Sequence, residues 1–188
     1  MRRLISSINV TLDGFCDHTA EIADDELHQN ATDLIKSTDT MLLGRKTYEL
    51  MEAGWAPLVK NPSGNKPMDD FALAIENIDK IVFSRTLKTV GWKNARLATA
   101  DLADEVSRLK AQPGKDIGVG GPTLIMELLN LGLIDEYQFH VQPIILGSGL
   151  PLFKEVEQRT DLKLLDVKSH ASGVVTLRYK NKPGLVDF

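Results

Sequence analysis

The spacing of hydrophobic and polar positions changes several times along the 188-residue chain. Over residues 4–12, Ile8, Val10 and Leu12 alternate with Ser7, Asn9 and Thr11. That two-residue period predicts a strand, closed by a turn at Asp13–Phe15. In "DDELHQNATDLIKST", Leu27, Ala31, Leu34 and Ile35 recur at helical spacing, with Asp24 or Asp25 as the cap. "TMLL" (Thr40–Leu43) predicts a short buried strand, and "GRKTYELME" opens a second helix. Gly54–Pro67 is rich in turn formers and reads as a surface loop. Then come a helix in "MDDFALAIEN", strands in "DKIVFS" and "ARLAT", and an amphipathic helix in "DLADEVSRLKAQ". "PGKDIGVGG" leads into a further strand, Pro122–Asn130 into a helix, and "LIDEYQFHVQPIIL" into a longer strand. "LKLLDVKSHASGVVTLRYKN" holds two alternating runs joined near Ala171–Gly173, a hairpin.

Strands alternating with helices call for right-handed crossovers and a parallel sheet. The closing hairpin adds antiparallel strands at one edge. No internal repeat or linker interrupts the pattern. A single α/β domain over residues 1–188 is expected, a mostly parallel sheet flanked by helices.

Composition narrows the function classes. Net charge is -4, which argues against a nucleic-acid footprint. The lone cysteine, Cys16, allows no internal disulfide, and a reducing cytoplasm is the simplest home. "MRRLISSINVTLDGF" is broken too soon by polar residues for a signal peptide, and no apolar run approaches a membrane span. Cys16, His18, His28, His140 and His170 show no metal-ligand spacing, so no metal is expected. "EIADDE" lacks calcium-loop spacing and reads as a capping, solvated segment.

Ligands of open α/β sheets bind beyond the carboxyl ends of the strands. After "TMLL" come Gly44, Arg45, Lys46 and Thr47. Cations in a first helical turn oppose the helix dipole at roughly 0.3–1 kcal/mol each, unless an anion joins them. Free amides with these side chains suit a phosphate; the plainer reading is that both cations bend into solvent. After "KIVF", Ser84 and Arg85 offer a hydroxyl and a guanidinium, suited to a second phosphate or to a surface turn. After "DIGV", Gly120 and Gly121 precede Pro122, which suits the first helical position. A glycine pair there permits either a tight turn or close approach of backbone to a pyrophosphate. Gly118, Gly120 and Thr123 miss the third glycine of the dinucleotide fingerprint, and "GRKT" is not a Walker A loop.

These stretches, in this order, resemble the dihydrofolate reductase superfold. They are closest to the reductase domain of the bifunctional riboflavin-biosynthesis deaminase-reductase and its stand-alone relatives. The likeness runs through "SINVTLDGF", "LLGRKTYE", "VFSRTL", "IGVGGPTLIMELLNLGLIDE" and "PIILGSGLPLF", nearly the whole chain. It implies NADPH as cofactor. Gly44, Arg45, Lys46 and Thr47 would hold phosphates, and Ser84 and Arg85 the adenosine end. Gly120, Gly121, Pro122, Thr123 and Leu124 would cradle the pyrophosphate and nicotinamide side, with Asp13 and Gly14 near nicotinamide and substrate.

Dihydrofolate reductases carry an acid on the first helix that binds the pterin. Family spacing lands here on His28 and Gln29, so pterin reduction lacks its acid. The riboflavin-type reductase acts on a ribosylaminopyrimidine phosphate and does not need it. The expected chemistry is hydride transfer to a C=N or C=O of a small substrate, with the cofactor supplying the reactivity. His28 is a candidate proton donor, or a helix-surface histidine. Trp55 and Phe153 are candidates for lining the substrate side, or plain packing. A true dihydrofolate reductase, or a non-catalytic nucleotide-binding or structural dimer module, stands as the alternative. The resemblance also implies a homodimer.

Overall fold

The computed structural model describes residues 1–22 and 24–182, so the expected 1–188 domain runs past them at its end. The main sheet is built from β1 (Leu4–Thr11), β3 (Thr38–Gly44), β4 (Asp79–Phe83), β5 (Ala95–Leu97), β6 (Asp116–Gly120), β7 (Glu136–Gln142), β9 (Leu162–Ser169) and β10 (Val175–Asn181). Its order is β5-β4-β3-β6-β1-β7-β10-β9. β5 through β7 run parallel, and β10 and β9 return antiparallel. A separate ribbon pairs β2 (Phe15–Cys16) with β8 (Leu150–Pro151).

Helices cover both faces. α4 (Leu102–Ala111) and α5 (Pro122–Asn130) pack Val106, Leu109, Ile125 and Leu128 against Leu4, Ile8, Val10, Ile117 and Phe139. On the other face, α1 (Asp25–Ser37), α2 (Arg45–Lys60) and α3 (Lys66–Asn77) enclose Ile35, Leu43, Tyr48, Phe71, Ile75, Val82 and Trp92. Each core is buried apolar area, at about 25 cal/mol per Å² removed from water.

Three sequence expectations change. Gly54–Pro67 is not one loop, because α2 continues to Lys60. Pro57 withholds one helix N–H, but Trp55 and Ala56 pack into the α1–α3 core, and that packing outweighs the local signal. The strand foreseen over Leu133–Leu146 is shorter: β7 ends at Gln142, and Pro143 cannot extend the ladder. Leu12 does not share the inward face of Ile8 and Val10; it is 65% exposed in the turn after β1.

Lys80 on β4 is fully buried. Its Nζ donates to the carbonyls of Glu76, Ile78 and Lys93 at 3.0, 3.0 and 2.8 Å, and lies 4.5 Å from the centre of the Trp92 ring. It ties the end of α3 to the β4–β5 connection, and burial pushes its pKa down to about 8. Among the described residues, no helix is long and apolar enough to cross a membrane.

Candidate active site

β4, β3, β6 and β1 are consecutive parallel neighbours, so their carboxyl ends share one edge. The three anion-suited turns read from the sequence therefore lie side by side. Two of them touch. Gly121, at φ +94°, is the N-cap of α5, and a Cβ there would overlap the Thr47 hydroxyl in the first turn of α2. A Cβ on Gly44, the N-cap of α2, would meet Leu124 at 3.7 Å, so the two turns face each other from both sides. Gly118 is small for another reason: a Cβ there would overlap Met41 Sδ inside the core.

Capping separates these helices from the rest. Asp24, Asn65 and Asp101 accept first-turn amides of α1, α3 and α4. Among the described residues, α2 and α5 have no side-chain cap, and they carry no acidic residue in their first turns. Their amides are open to an anion where positive partial charges converge. Arg45 and Lys46 are exposed beside them, and Arg45 is 3.6 Å from Glu49. Pro122 occupies the first position of α5, where no N–H is required, Thr123 is exposed, and the Leu124 side chain belongs to the core. At the end of β4, the Ser84 hydroxyl accepts the N–H groups of Thr86 and Leu87, while Arg85 is exposed. Ser84 thus shapes the turn that presents Arg85.

At the end of β1, Asp13 is held by the loop after β7. It accepts the Thr11 hydroxyl at 2.6 Å and the amides of Leu146 and Gly147 at 3.1 and 2.7 Å. These bonds, the Thr11 hydroxyl foremost, push its pKa down to about 2. Gly14 (φ +89°) completes the turn by donating to Thr11 O. The "LDG" and "ILGSG" stretches are thereby joined, more than a hundred residues apart.

His28 and Trp55 do come together. Their ring centres are 5.7 Å apart, and Phe71 stands 6.3 Å from His28 and 4.5 Å from Trp55. His28 Nδ1 is buried without a partner among the described residues, and burial lowers the pKa of the ring. Phe153 is elsewhere: it packs on Phe139 at 5.8 Å on the opposite face of the sheet, beside an apolar cavity of about 180 Å³. It cannot line one pocket with Trp55.

A carboxyl that sequence reasoning did not single out sits over the end of β1. The Ile22 N–H fixes Gln142 by donating to its Oε1 at 3.1 Å; Gln142 Nε2 then donates to Asn9 Oδ1 at 3.1 Å. That leaves the Asn9 amide to face the Glu21 carboxyl, which lies at the exposed rim of β1. Cys16 is half-buried, and burial pushes its thiol up to about 11, which removes it as a nucleophile. Asp24, Glu26 and His170 bring ligand-type atoms within 4.8 Å of one another. Their carboxylates are engaged by the α1 amides, Lys168 and His170.

The RibD C-terminal domain model matches residues 2–176. The chain belongs to the RibD C-terminal domain family. It is 36% identical over 182 residues to the uncharacterized protein YyaP of Bacillus subtilis (strain 168), covering 95% of this chain and 94% of that one. A second Bacillus subtilis protein, YwjB, is 29% identical over 180 residues, covering 92% and 95%. Among solved structures, a putative riboflavin biosynthesis protein from Shewanella sp. PV-4 superposes with a TM-score of 0.73 at 21% identity, over 97% of this chain and all (100%) of the other. The deaminase/5-amino-6-(5-phosphoribosylamino)uracil reductase of Thermotoga maritima gives 0.65 at 17% identity, over 96% of this chain and 57% of that larger protein. At these identities the structures share the fold. The RibD-type likeness read from the five sequence stretches is the family the chain belongs to, and its fold is the expected dihydrofolate reductase-like one.

Proposed function

We propose that this RibD-family domain is an NADPH-dependent reductase that transfers hydride to a C=N or C=O of a small, pyrimidine-like substrate. One observation carries the reading. The two uncapped helix N-termini meet at Thr47 and Gly121, over adjacent parallel strand ends, while the other α-helices are capped by their own side chains. Such a junction suits the pyrophosphate of a dinucleotide. Gly44–Thr47 and Gly120–Leu124 would hold it, and Arg85, which is exposed, would take a 2′-phosphate. The bound cofactor would supply the hydride; the chain's residues position it and exclude water. The Thermotoga relative is named as a reductase of a ribosylaminopyrimidine phosphate, which supports the substrate class.

The test is titration with NADPH and NADH, read by energy transfer from Trp55 and Trp92, followed by NADPH oxidation against dihydrofolate and 5-amino-6-(5-phosphoribosylamino)uracil. NADPH-selective binding is expected. Binding of neither cofactor would overturn the reading in favour of a non-catalytic module. Arg85→Ala is expected to weaken NADPH about 10-fold, roughly 1.4 kcal/mol, and to leave NADH unchanged. An unaltered preference would remove Arg85 as the selector.

The reading includes a homodimer formed through β9. This outer strand exposes Leu164, Leu165 and Val167 at 49%, 41% and 51%. An apolar edge with unpaired backbone groups is a ready pairing surface. Val167→Lys is expected to yield a monomer in light scattering, and an unchanged mass excludes β9 as the contact.

A further inference from the structure

Five side chains from five separate segments form one hydrogen-bonded line. Glu26 Oε2, on α1, lies 3.1 Å from His170 Nδ1 in the hairpin turn. His170 Nε2 is 2.8 Å from Thr176 Oγ1 on β10. Thr176 Oγ1 is 2.9 Å from His140 Nδ1 on β7, and His140 Nε2 is 3.0 Å from Ser7 Oγ on β1. The three middle members are buried, at 6%, 6% and 8% exposure for His170, Thr176 and His140. The ends are more open: the Glu26 side chain is 44% exposed, and Ser7 is half-buried. Lys168 holds Glu26 at 2.7 Å, and Asp24 faces His170.

The donors in this line have a forced order. An ionised carboxylate only accepts, and a neutral imidazole donates at one nitrogen and accepts at the other. With Glu26 ionised, His170 donates from Nδ1 and accepts the Thr176 hydroxyl at Nε2. Thr176 then accepts from His140 Nδ1–H, and His140 Nε2 accepts from Ser7. With Glu26 protonated, every member can reverse, and Ser7 turns its proton outward.

Ser7 stands where an outward proton is useful. The register of β1 against β6 ends with Ser6 opposite Val119, so Ser7 is the next residue of β1 and lies beside the end of β6 that carries Gly120. That is one strand spacing, about 4.8 Å, from the glycine turn assigned above to the cofactor. Gly120 has no side chain to stand between them. His28, by contrast, faces Trp55 and Phe71.

We propose that this line is the proton path of the reductase, with Glu26 as the intake and Ser7 as the hydroxyl that protonates the reduced substrate. The proposal rests on the reductase reading. A reduced nicotinamide dinucleotide, held by Gly44–Thr47 and Gly120–Leu124, would supply the hydride, and the substrate nitrogen or oxygen would then need a proton. From the reversed order, with Glu26 protonated and both imidazoles in their Nε2–H tautomers, Ser7 gives that atom its proton and takes one from His140 Nε2. His140 Nδ1 takes the Thr176 hydroxyl proton, Thr176 takes the proton of His170 Nε2, and His170 Nδ1 takes the proton of Glu26. Each N–H or O–H broken is matched by one formed, and one solvent proton is consumed per hydride. Ser7 is the catalytic residue; the other four relay.

Thr176→Val keeps the shape and removes the central hydroxyl. Its kcat for NADPH oxidation, with dihydrofolate and 5-amino-6-(5-phosphoribosylamino)uracil as substrates, is expected to fall about 100-fold. Its NADPH affinity should stay within about two-fold, since it touches no cofactor residue, and Thr176→Ser should restore the rate. In mixed H2O/D2O, a curved proton inventory should become linear in the valine variant. Nitrogen-15 NMR of the histidines reads the line without turnover: His140 and His170 should both be Nδ1–H tautomers at neutral pH. Equal turnover of the valine variant and wild type, or an Nε2–H tautomer for His140, overturns the relay while leaving the reductase reading intact. Where neither substrate is reduced, the tautomers decide alone. Wild-type protein that binds no NADPH overturns the reductase reading and the relay with it.

Discussion

Gly121→Ala is expected to weaken NADPH binding at least about 100-fold and to destabilise the fold by about 2–5 kcal/mol. The stability loss has two sources. Gly121 sits at φ +94°, where an L-residue pays roughly 1–2 kcal/mol. The added methyl also runs into the Thr47 hydroxyl, and such overpacking typically costs about 1–3 kcal/mol. The binding loss follows from the same contact. Relief requires the first turn of α2 and the cap of α5 to separate, and these are the two amide clusters proposed to share the pyrophosphate. An affinity drop of about 100-fold, 2.7 kcal/mol, is the expected minimum. Urea unfolding with and without NADPH measures both effects. In the Thr47→Ala, Gly121→Ala double variant, most of the steric part of the stability loss should disappear, since the clash with the hydroxyl is removed and a 3.2 Å approach to Cβ stays, and the backbone part should remain. A Gly121→Ala protein that binds NADPH like wild type would show that the glycine serves only the turn.

That junction was half legible in the sequence. Gly44, Arg45, Gly121 and Pro122 announce helix starts through local rules, and α5 begins and ends where its proline and leucine pattern predict. The missing caps were legible too, since no Asp, Asn or Ser stands at either N-cap. What local pattern cannot carry is which strands become neighbours. β3 and β6 lie more than seventy residues apart in the chain, and only their pairing brings Thr47 to Gly121. The same limit hid the rest. The turn formers of Gly54–Pro67 put Trp55 in a loop, whereas its contacts with His28 and Phe71 come from two other helices. The sequence offers Phe153 beside Trp55 as a residue of the substrate side, or as plain packing, and the sheet separates them. Asp13 showed its turn but not its partners, which arrive from the loop after β7. His140 and His170 were dismissed for lacking ligand spacing; their shared partner, Thr176, reflects strand register.

Acid should test that register directly, weakening the fold by about 3 kcal/mol as pH falls from 6.5 to 4. Burial, and then the neighbouring His170, push the His140 pKa down to about 4 from an ordinary value of 6.5. Between those pH values the unfolded chain binds the proton and the folded one does not. Stability therefore rises with pH across the window and is lost on acidification. At about 1.36 kcal/mol per unit, the interval gives the stated size. His28, whose pKa burial also lowers, titrates in the same direction, so the comparison with a His140 variant is what separates the two. Asp13, held near pKa 2, contributes stability that is lost only as pH falls below the usual carboxylate range. Lys80, folded pKa about 8, makes stability rise between pH 8 and its ordinary 10.5. Urea unfolding of wild type and His140→Gln across pH 4–6.5 isolates the term, and the variant's slope should be shallower by about 3 kcal/mol over the interval. Parallel slopes would mean that His140 gains its proton without penalty. An imidazolium donates from both nitrogens and accepts at neither, so the ordered line from Glu26 to Ser7 could not then persist in weak acid.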